Sequence, residues 1–168
     1  MKSPGTFLDV GTGVARLAIE VARRWPALRI VGIDPWRPAL TIADQNVAES
    51  GVADRIKLRA ERVEELTDDR AYSLAWLPAP FFPVTATKDV FARIAEMLAP
   101  GGWLIVGFYP TGTTPLSSAL GELRAVRAGG HPWTAGEIHE RLRRAGFVAI
   151  EAVSPTGPVN FVLGRKPG

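Results

Sequence analysis

The stretch Phe7-Leu8-Asp9-Val10-Gly11-Thr12-Gly13-Val14-Ala15 decides the reading of this chain. An apolar run over residues 6–10 ends at two glycines one residue apart, and a helical pattern follows directly. Gly11 and Gly13 permit a tight turn and let a ligand come close to the backbone. The free N–H groups at the start of the helix favour an anionic group or a carboxylate. Asp34 ends the next apolar run, 21 positions after Gly13. That is the spacing at which an acid reaches ribose hydroxyls.

Outward from this turn, apolar runs alternate with helical patterns. Strands are expected over 6–10, 29–33, 56–59, 72–77 and 103–109, and helices over 14–25, 38–50 and 88–98. In the first helix Val14, Leu17, Ala18, Val21 and Trp25 share one face, which should pack on a sheet. The third carries Val90, Phe91, Ile94, Met97 and Leu98 inward and stops at Pro100-Gly101-Gly102. Such alternation implies a parallel sheet with helices on both faces, the α/β class. Further helices are expected over 116–126 and 134–145, the latter opened by Thr134 and Glu137 as a capping box. Two strands follow, 148–153 and 160–163, joined by Ser154-Pro155-Thr156-Gly157-Pro158. With no helix between them, they should pair antiparallel.

The ligand can be narrowed. A dinucleotide turn places a third glycine three residues after the second, and here that position is Arg16. A nicotinamide or flavin is therefore disfavoured. Asp9, two positions before Gly11, is placed to reach the amino group of an amino-acid ligand. A sulfonium with an amino-acid tail and a ribose but no phosphate suits this loop.

These residues resemble the S-adenosylmethionine-dependent class I methyltransferases. Asp9-Val10-Gly11-Thr12-Gly13 resembles the first motif, with Ala15 where a third small residue is usual, and Gly32-Ile33-Asp34 resembles the second. Residues 56–66, Leu98-Ala99-Pro100-Gly101-Gly102 and Ala145-Gly146-Phe147 resemble the third strand with its adenine loop and the entries to strands five and six. The resemblance implies a seven-strand sheet of order 3-2-1-4-5-7-6 with the last strand antiparallel. It also implies a site for S-adenosylmethionine, or its product S-adenosylhomocysteine. Asp9, Gly11, Thr12, Gly13, Asp34, Pro35, Trp36, Glu61, Arg62, Val63 and Trp76 would bind the cofactor, with Glu61 near the adenine amino group. The chain departs from the family at strand four, which lacks the usual acid after an aromatic residue and continues into the apolar Trp76-Leu77-Pro78-Ala79-Pro80-Phe81-Phe82. The Asp/Asn-Pro-Pro-aromatic signature of amino-group methyltransferases is absent, so a small-molecule acceptor is expected, with oxygen slightly favoured. The alternative is a non-catalytic module that keeps the fold for assembly or regulation.

Phe81, Phe82, Phe108 and Tyr109 follow strand ends and are the acceptor-pocket candidates. His131, in the loop Gly129-Gly130-His131-Pro132, is the candidate general base, and His139 is a weaker one. No ligand cluster accompanies the two histidines, so no metal is expected. Cysteine is absent, which excludes disulfides, thiolate metal sites and a cysteine nucleophile, and fits a cytoplasmic protein.

The net charge is only +3, with Arg23-Arg24 and Arg141, Arg143, Arg144 on solvated helix faces, so no nucleic-acid partner is expected. No apolar stretch has the length of a membrane span. Residues 1–168 are expected to form one cofactor-binding domain. Because the first motif begins at Phe7, little or no N-terminal lid is expected. The segment 111–132 is too short for a full one, and the apolar segment 78–84 should lie exposed at the mouth. Cover would come from a second copy of the chain, a partner chain or a further segment.

Overall fold

The β-rich runs assemble as the alternation dictates. The computed structural model describes residues 5–82, 90–109, 114–127, 129–153 and 159–168. The strands are β1 (Thr6–Val10), β2 (Arg29–Ile33), β3 (Ile56–Arg59), β4 (Tyr72–Pro78), β5 (Leu98–Phe108), β6 (Val148–Val153) and β7 (Asn160–Arg165). They form one sheet in the order β3-β2-β1-β4-β5-β7-β6. The first five run parallel, and β7 is antiparallel to both β5 and β6. The turn expected between β6 and β7 lies outside the described residues.

The helices are α1 (Arg16–Arg24), α2 (Arg37–Ala48), α3 (Val90–Met97), α4 (Pro115–Arg127) and α5 (Ala135–Arg144). Thr134 caps α5 as expected. Its hydroxyl accepts the Glu137 N–H at 3.2 Å, and Glu137 accepts the Thr134 N–H at 2.8 Å. Alternation along the strands splits the core in two. Leu8, Leu77, Leu104 and Val106 pack with Ile94, Met97 and Leu142 on the α3–α5 side. Phe7 and Ile30 pack with Ala18, Ala22, Leu40 and Ala43 on the α1–α2 side.

The face expected for α1 is rotated. Ala18, Ile19, Val21 and Ala22 are buried, whereas Leu17 and Trp25 are 41% and 53% exposed. The small row Ala15, Ala18 and Ala22 lets the helix lie close on the sheet, so the larger Leu17 and Trp25 overhang its flank. The helix also starts two residues later than the sequence suggests. Ala15 takes a left-handed conformation (φ 63°) after Gly11 and Gly13, and these residues must turn the chain first. Among the described residues, no helix is long and apolar enough to cross a membrane.

Candidate functional site

The chain turns sharply at the carboxyl end of β1, and the turn is braced from within. Thr12 N–H donates to the Ile33 carbonyl at 2.9 Å, tying the loop to β2. The Thr12 hydroxyl donates to Asp9 Oδ2 at 2.7 Å. Asp9 is 1% exposed, and burial pushes its carboxyl up to about 6, against the lowering effect of the Thr12 hydrogen bond. Gly32 gives the Thr12 side chain its room, because a Cβ there would stand 2.8 Å from the Thr12 hydroxyl oxygen.

Asp34, half-buried at the end of β2, faces this turn. Its Oδ2 accepts the Gly13 N–H at 3.0 Å, and its Oδ1 accepts the Trp36 N–H at 2.8 Å. Two backbone donors thus fix the carboxylate plane, and each oxygen keeps a further lone pair for a ligand hydroxyl. Behind it, Arg59 at the end of β3 grips Glu61 (Nη2 to Oε2, 2.6 Å) and Asp68 (Nη1 to Oδ2, 2.7 Å).

These loops enclose a cavity of about 580 Å³ at the carboxyl ends of the strands. Its wall contains Gly11, Gly13, Asp34, Pro35, Trp36, Glu61, Arg62 and Val63, all expected from the sequence for a cofactor. Phe81 and Phe82, expected for an acceptor, close the far side. Phe81 and Trp36 are 54% and 65% exposed at the rim. The sequence reading missed Val10, Ile33, Glu64 and Pro78, the residues that end strands or follow the named motifs. A rule that strand-end residues face the crevice would have found three of them.

The other sequence candidates fall elsewhere. Asp9 and Thr12 lie beneath the loop instead of in the cavity wall, because their mutual hydrogen bond turns both inward. Trp76 points to the opposite face of the sheet, where it meets Phe161 edge-on at 6.0 Å and fills space left open at Gly107. Alternation on β4 forces this, since its neighbours Ala75 and Leu77 are buried in the α3–α5 core. Phe108 is buried in that same core, 4% exposed, and does not face a ligand.

His131 and Tyr109 do come together, in a separate small cavity of about 70 Å³ with Pro80 and Trp133. The ring sits edge-on to Trp133 at 4.9 Å, and Nε2 lies 3.3 Å from Glu137 Oε1. Partial burial opposes ionisation of Glu137, but hydrogen bonds from Thr134 and His131 hold its carboxyl below the ordinary range. The loop is pressed onto the 79–81 turn so tightly that a Cβ on Gly130 would stand 1.7 Å from the Pro80 carbonyl oxygen. The Pro80–Phe82 segment therefore stands between this histidine and the large cavity. His139 is exposed on α5. Of the expected patch over 78–84, Pro78, Ala79 and Pro80 are buried, Phe81 is exposed and Phe82 is half-buried. Residues 83 and 84 lie outside the described residues. Among the described residues, no three His, Asp or Glu side chains group as a metal site would require.

Comparison with known proteins agrees with this geometry. Residues 7–102, more than half of the chain, match the family described as methyltransferase domain. The ribosomal protein L11 methyltransferase of Brucella suis is 33% identical over 149 residues, 88% of this chain and 48% of that protein. The demethylmenaquinone methyltransferase of Thermus thermophilus is 29% identical over 109 residues, 65% of this chain and 49% of that protein. The crystal structure of a Nostoc punctiforme protein assigned as an O-methyltransferase superposes with a TM-score of 0.84 at 27% identity, over 99% of this chain and 53% of that one. The chain thus spans about half the length of the curated relatives it matches.

Proposed function

The chain belongs to the methyltransferase-domain family, with the class I fold, and on that premise we propose that it moves the methyl group of S-adenosylmethionine to a small-molecule acceptor, oxygen slightly favoured. The observation that carries the proposal is Asp34, held by the Gly13 and Trp36 N–H groups at the wall of a 580 Å³ cavity. The volume falls within the range of roughly 300–1,000 Å³ usual for small-molecule sites. The donor set fits the cofactor. It offers a fixed carboxylate for vicinal hydroxyls, a second acid in Glu61, and the Trp36 ring and Val63 for a purine, with Arg62 as its one cation among the described residues and no Walker-type loop for phosphates.

The cofactor supplies a methyl group already activated on a sulfonium, so the protein's share is to bind, orient and exclude water. Asp34 orients the ribose, and the Gly11–Gly13 turn admits the chain of the ligand close to the backbone. Phe81 and Phe82 present an apolar wall to the acceptor. His131, hydrogen-bonded to Glu137, would serve a hydroxyl acceptor as base only if the Pro80–Phe82 segment moved aside, so among the described residues no histidine base stands in the cavity wall itself. Residues 1–168 act in this reading as one cofactor-binding domain. Its rim is exposed at Trp36 and Phe81, and cover would come from a second copy, a partner chain or a further segment.

The separation of His131 from the large cavity favours a second reading, a module that retains the cofactor without methyl transfer. Calorimetric titration with S-adenosylhomocysteine, followed by a methyl-transfer assay over a panel of acceptors, separates the two. Binding with transfer, undiminished by a chelator, supports the enzyme, and binding without transfer supports the module. No binding would overturn both.

A further inference from the structure

No sequence motif draws attention to Arg59, yet it joins two of the three acids of the cavity wall, Asp34 and Glu61. Its main-chain carbonyl accepts the Asp34 N–H at 3.2 Å. Its side chain, 19% exposed, takes Glu61 as a fork, with Nε to Oε1 at 3.1 Å and Nη2 to Oε2 at 2.6 Å. Asp68 anchors the remaining nitrogen, Nη1 to Oδ2 at 2.7 Å, so the guanidinium is held from the side away from Glu61. A glutamate at a cavity rim otherwise has three soft torsions. A bidentate guanidinium fixes both the position and the plane of its carboxylate. The fork occupies one lone pair on each Glu61 oxygen and leaves another on each.

We infer that Arg59 is a positioning residue that holds Glu61 as a fixed acceptor for the exocyclic amino group of the bound purine, making the cavity discriminate a 6-amino from a 6-oxo purine. The inference rests on the cofactor reading above. An amino group donates to the held carboxylate. A 6-oxo group turns lone pairs toward it and is rejected, and a freely moving Glu61 would swing aside and tolerate either.

The test is calorimetric titration of the intact protein with S-adenosylhomocysteine and with its 6-oxo counterpart, S-inosylhomocysteine. The native protein should prefer the amino form by about tenfold or more, the strength of one charged hydrogen bond. In Arg59→Met that preference should shrink to about threefold or less, and in Arg59→Lys, which keeps the charge but not the fork, it should be intermediate. Glu61→Gln, whose amide can donate to the 6-oxo group, should also erase it. A purely structural role for Arg59 would lower the melting temperature and weaken both ligands alike. An unchanged ratio in Arg59→Met would therefore overturn the inference, as would a native protein indifferent to the two purines. If Arg59→Met does not fold, Arg59→Lys and Glu61→Gln report the same ratio. A native protein that binds neither compound overturns the cofactor reading itself, an outcome distinct from the others.

Discussion

Two cavities of nearly equal size show how differently one sheet treats its end and its flank. The cavity at the strand ends, about 580 Å³, is built by loops and lined with carboxylates, an arginine and glycine backbone beside its aromatic rings. The other, about 590 Å³, lies over β4, β5 and β7 and is lined only by apolar side chains, among them Leu17, Trp25, Trp76, Ile105 and Phe161. The first is concave because the loops that follow the parallel strands must turn there and bring carboxylates and close-approaching backbone to its wall. The second is a sheet face that, among the described residues, α1 and α2 cover on the β1–β3 half only. Leu17, Val21 and Trp25, four positions apart along α1, form its edge. A parallel sheet is normally covered on both faces, so among the described residues this flank has the chemistry of a core without the layer that completes one.

The largest expected effect tests that contrast on adjacent residues. Leu104 on β5 is fully buried against the α3–α5 side, whereas Ile105 faces the bare flank. Leu104→Ala should cost about 2–5 kcal/mol in urea unfolding, the usual range for a buried leucine, and Ile105→Ala well under half of that. Equal costs would mean the flank is covered in solution.

Next comes the charge buried beneath the strand-end loop. The Asp9 carboxyl is raised to about 6 by burial, so its neutral form is the stabilised one. Its contribution is full below the ordinary carboxylate value and is lost as pH rises through about 6. The loss should be on the order of 2–3 kcal/mol between pH 4 and pH 7. Asp9→Asn keeps an oxygen to accept the Thr12 hydroxyl and should remove this decline. Unfolding curves of the two proteins that stay parallel across that interval would show the carboxylate to be compensated in a way the geometry does not reveal.

A smaller effect separates ligand binding from stability. Asp34→Ala removes the fixed acceptor from the large cavity at a half-buried site. Affinity for S-adenosylhomocysteine should fall by roughly tenfold or more, one or two charged hydrogen bonds, while stability falls by about 1–2 kcal/mol with the loss of its two backbone partners and the fold persists. Unchanged affinity in calorimetry would move the ribose contact elsewhere. The smallest effect concerns the rim of the bare flank. Trp25, 53% exposed and beneath Arg24 at 5.9 Å, should tolerate alanine within about 1 kcal/mol. A larger loss, growing with protein concentration, would reveal a second copy seated there.

Much of this was legible in the residues. The seven strands appear where the apolar runs stand, and four of them match to the residue: β1, β2, β3 and β6. The capping box at Thr134 is a local signal and formed locally. In the cavity wall, Gly11, Gly13 and Asp34 followed from the glycine turn and the acid 21 positions on, whereas Glu61, Arg62 and Val63 followed only from the family resemblance. The misreadings share a cause. Leu17 and Trp25 fit a helical period, yet small alanines on the neighbouring strip approached the sheet more closely and won the interface. Trp76 and Phe108 follow or end strands near the site, but alternation sends their rings to the far face and the core.

The sequence by itself determined the class of sheet, the place of the glycine turn and the cap of α5, because glycine, periodicity and caps act over a few residues. Only the tertiary structure decided which way each side chain goes. It buried Asp9 under Thr12, turned Trp76 toward the gap at Gly107, and put Arg59 between Glu61 and Asp68. It also set His131 behind the Pro80–Phe82 segment, since Gly130 lets that loop close on Pro80. Those outcomes depend on neighbours brought close by folding, and a linear pattern does not carry the distance between them.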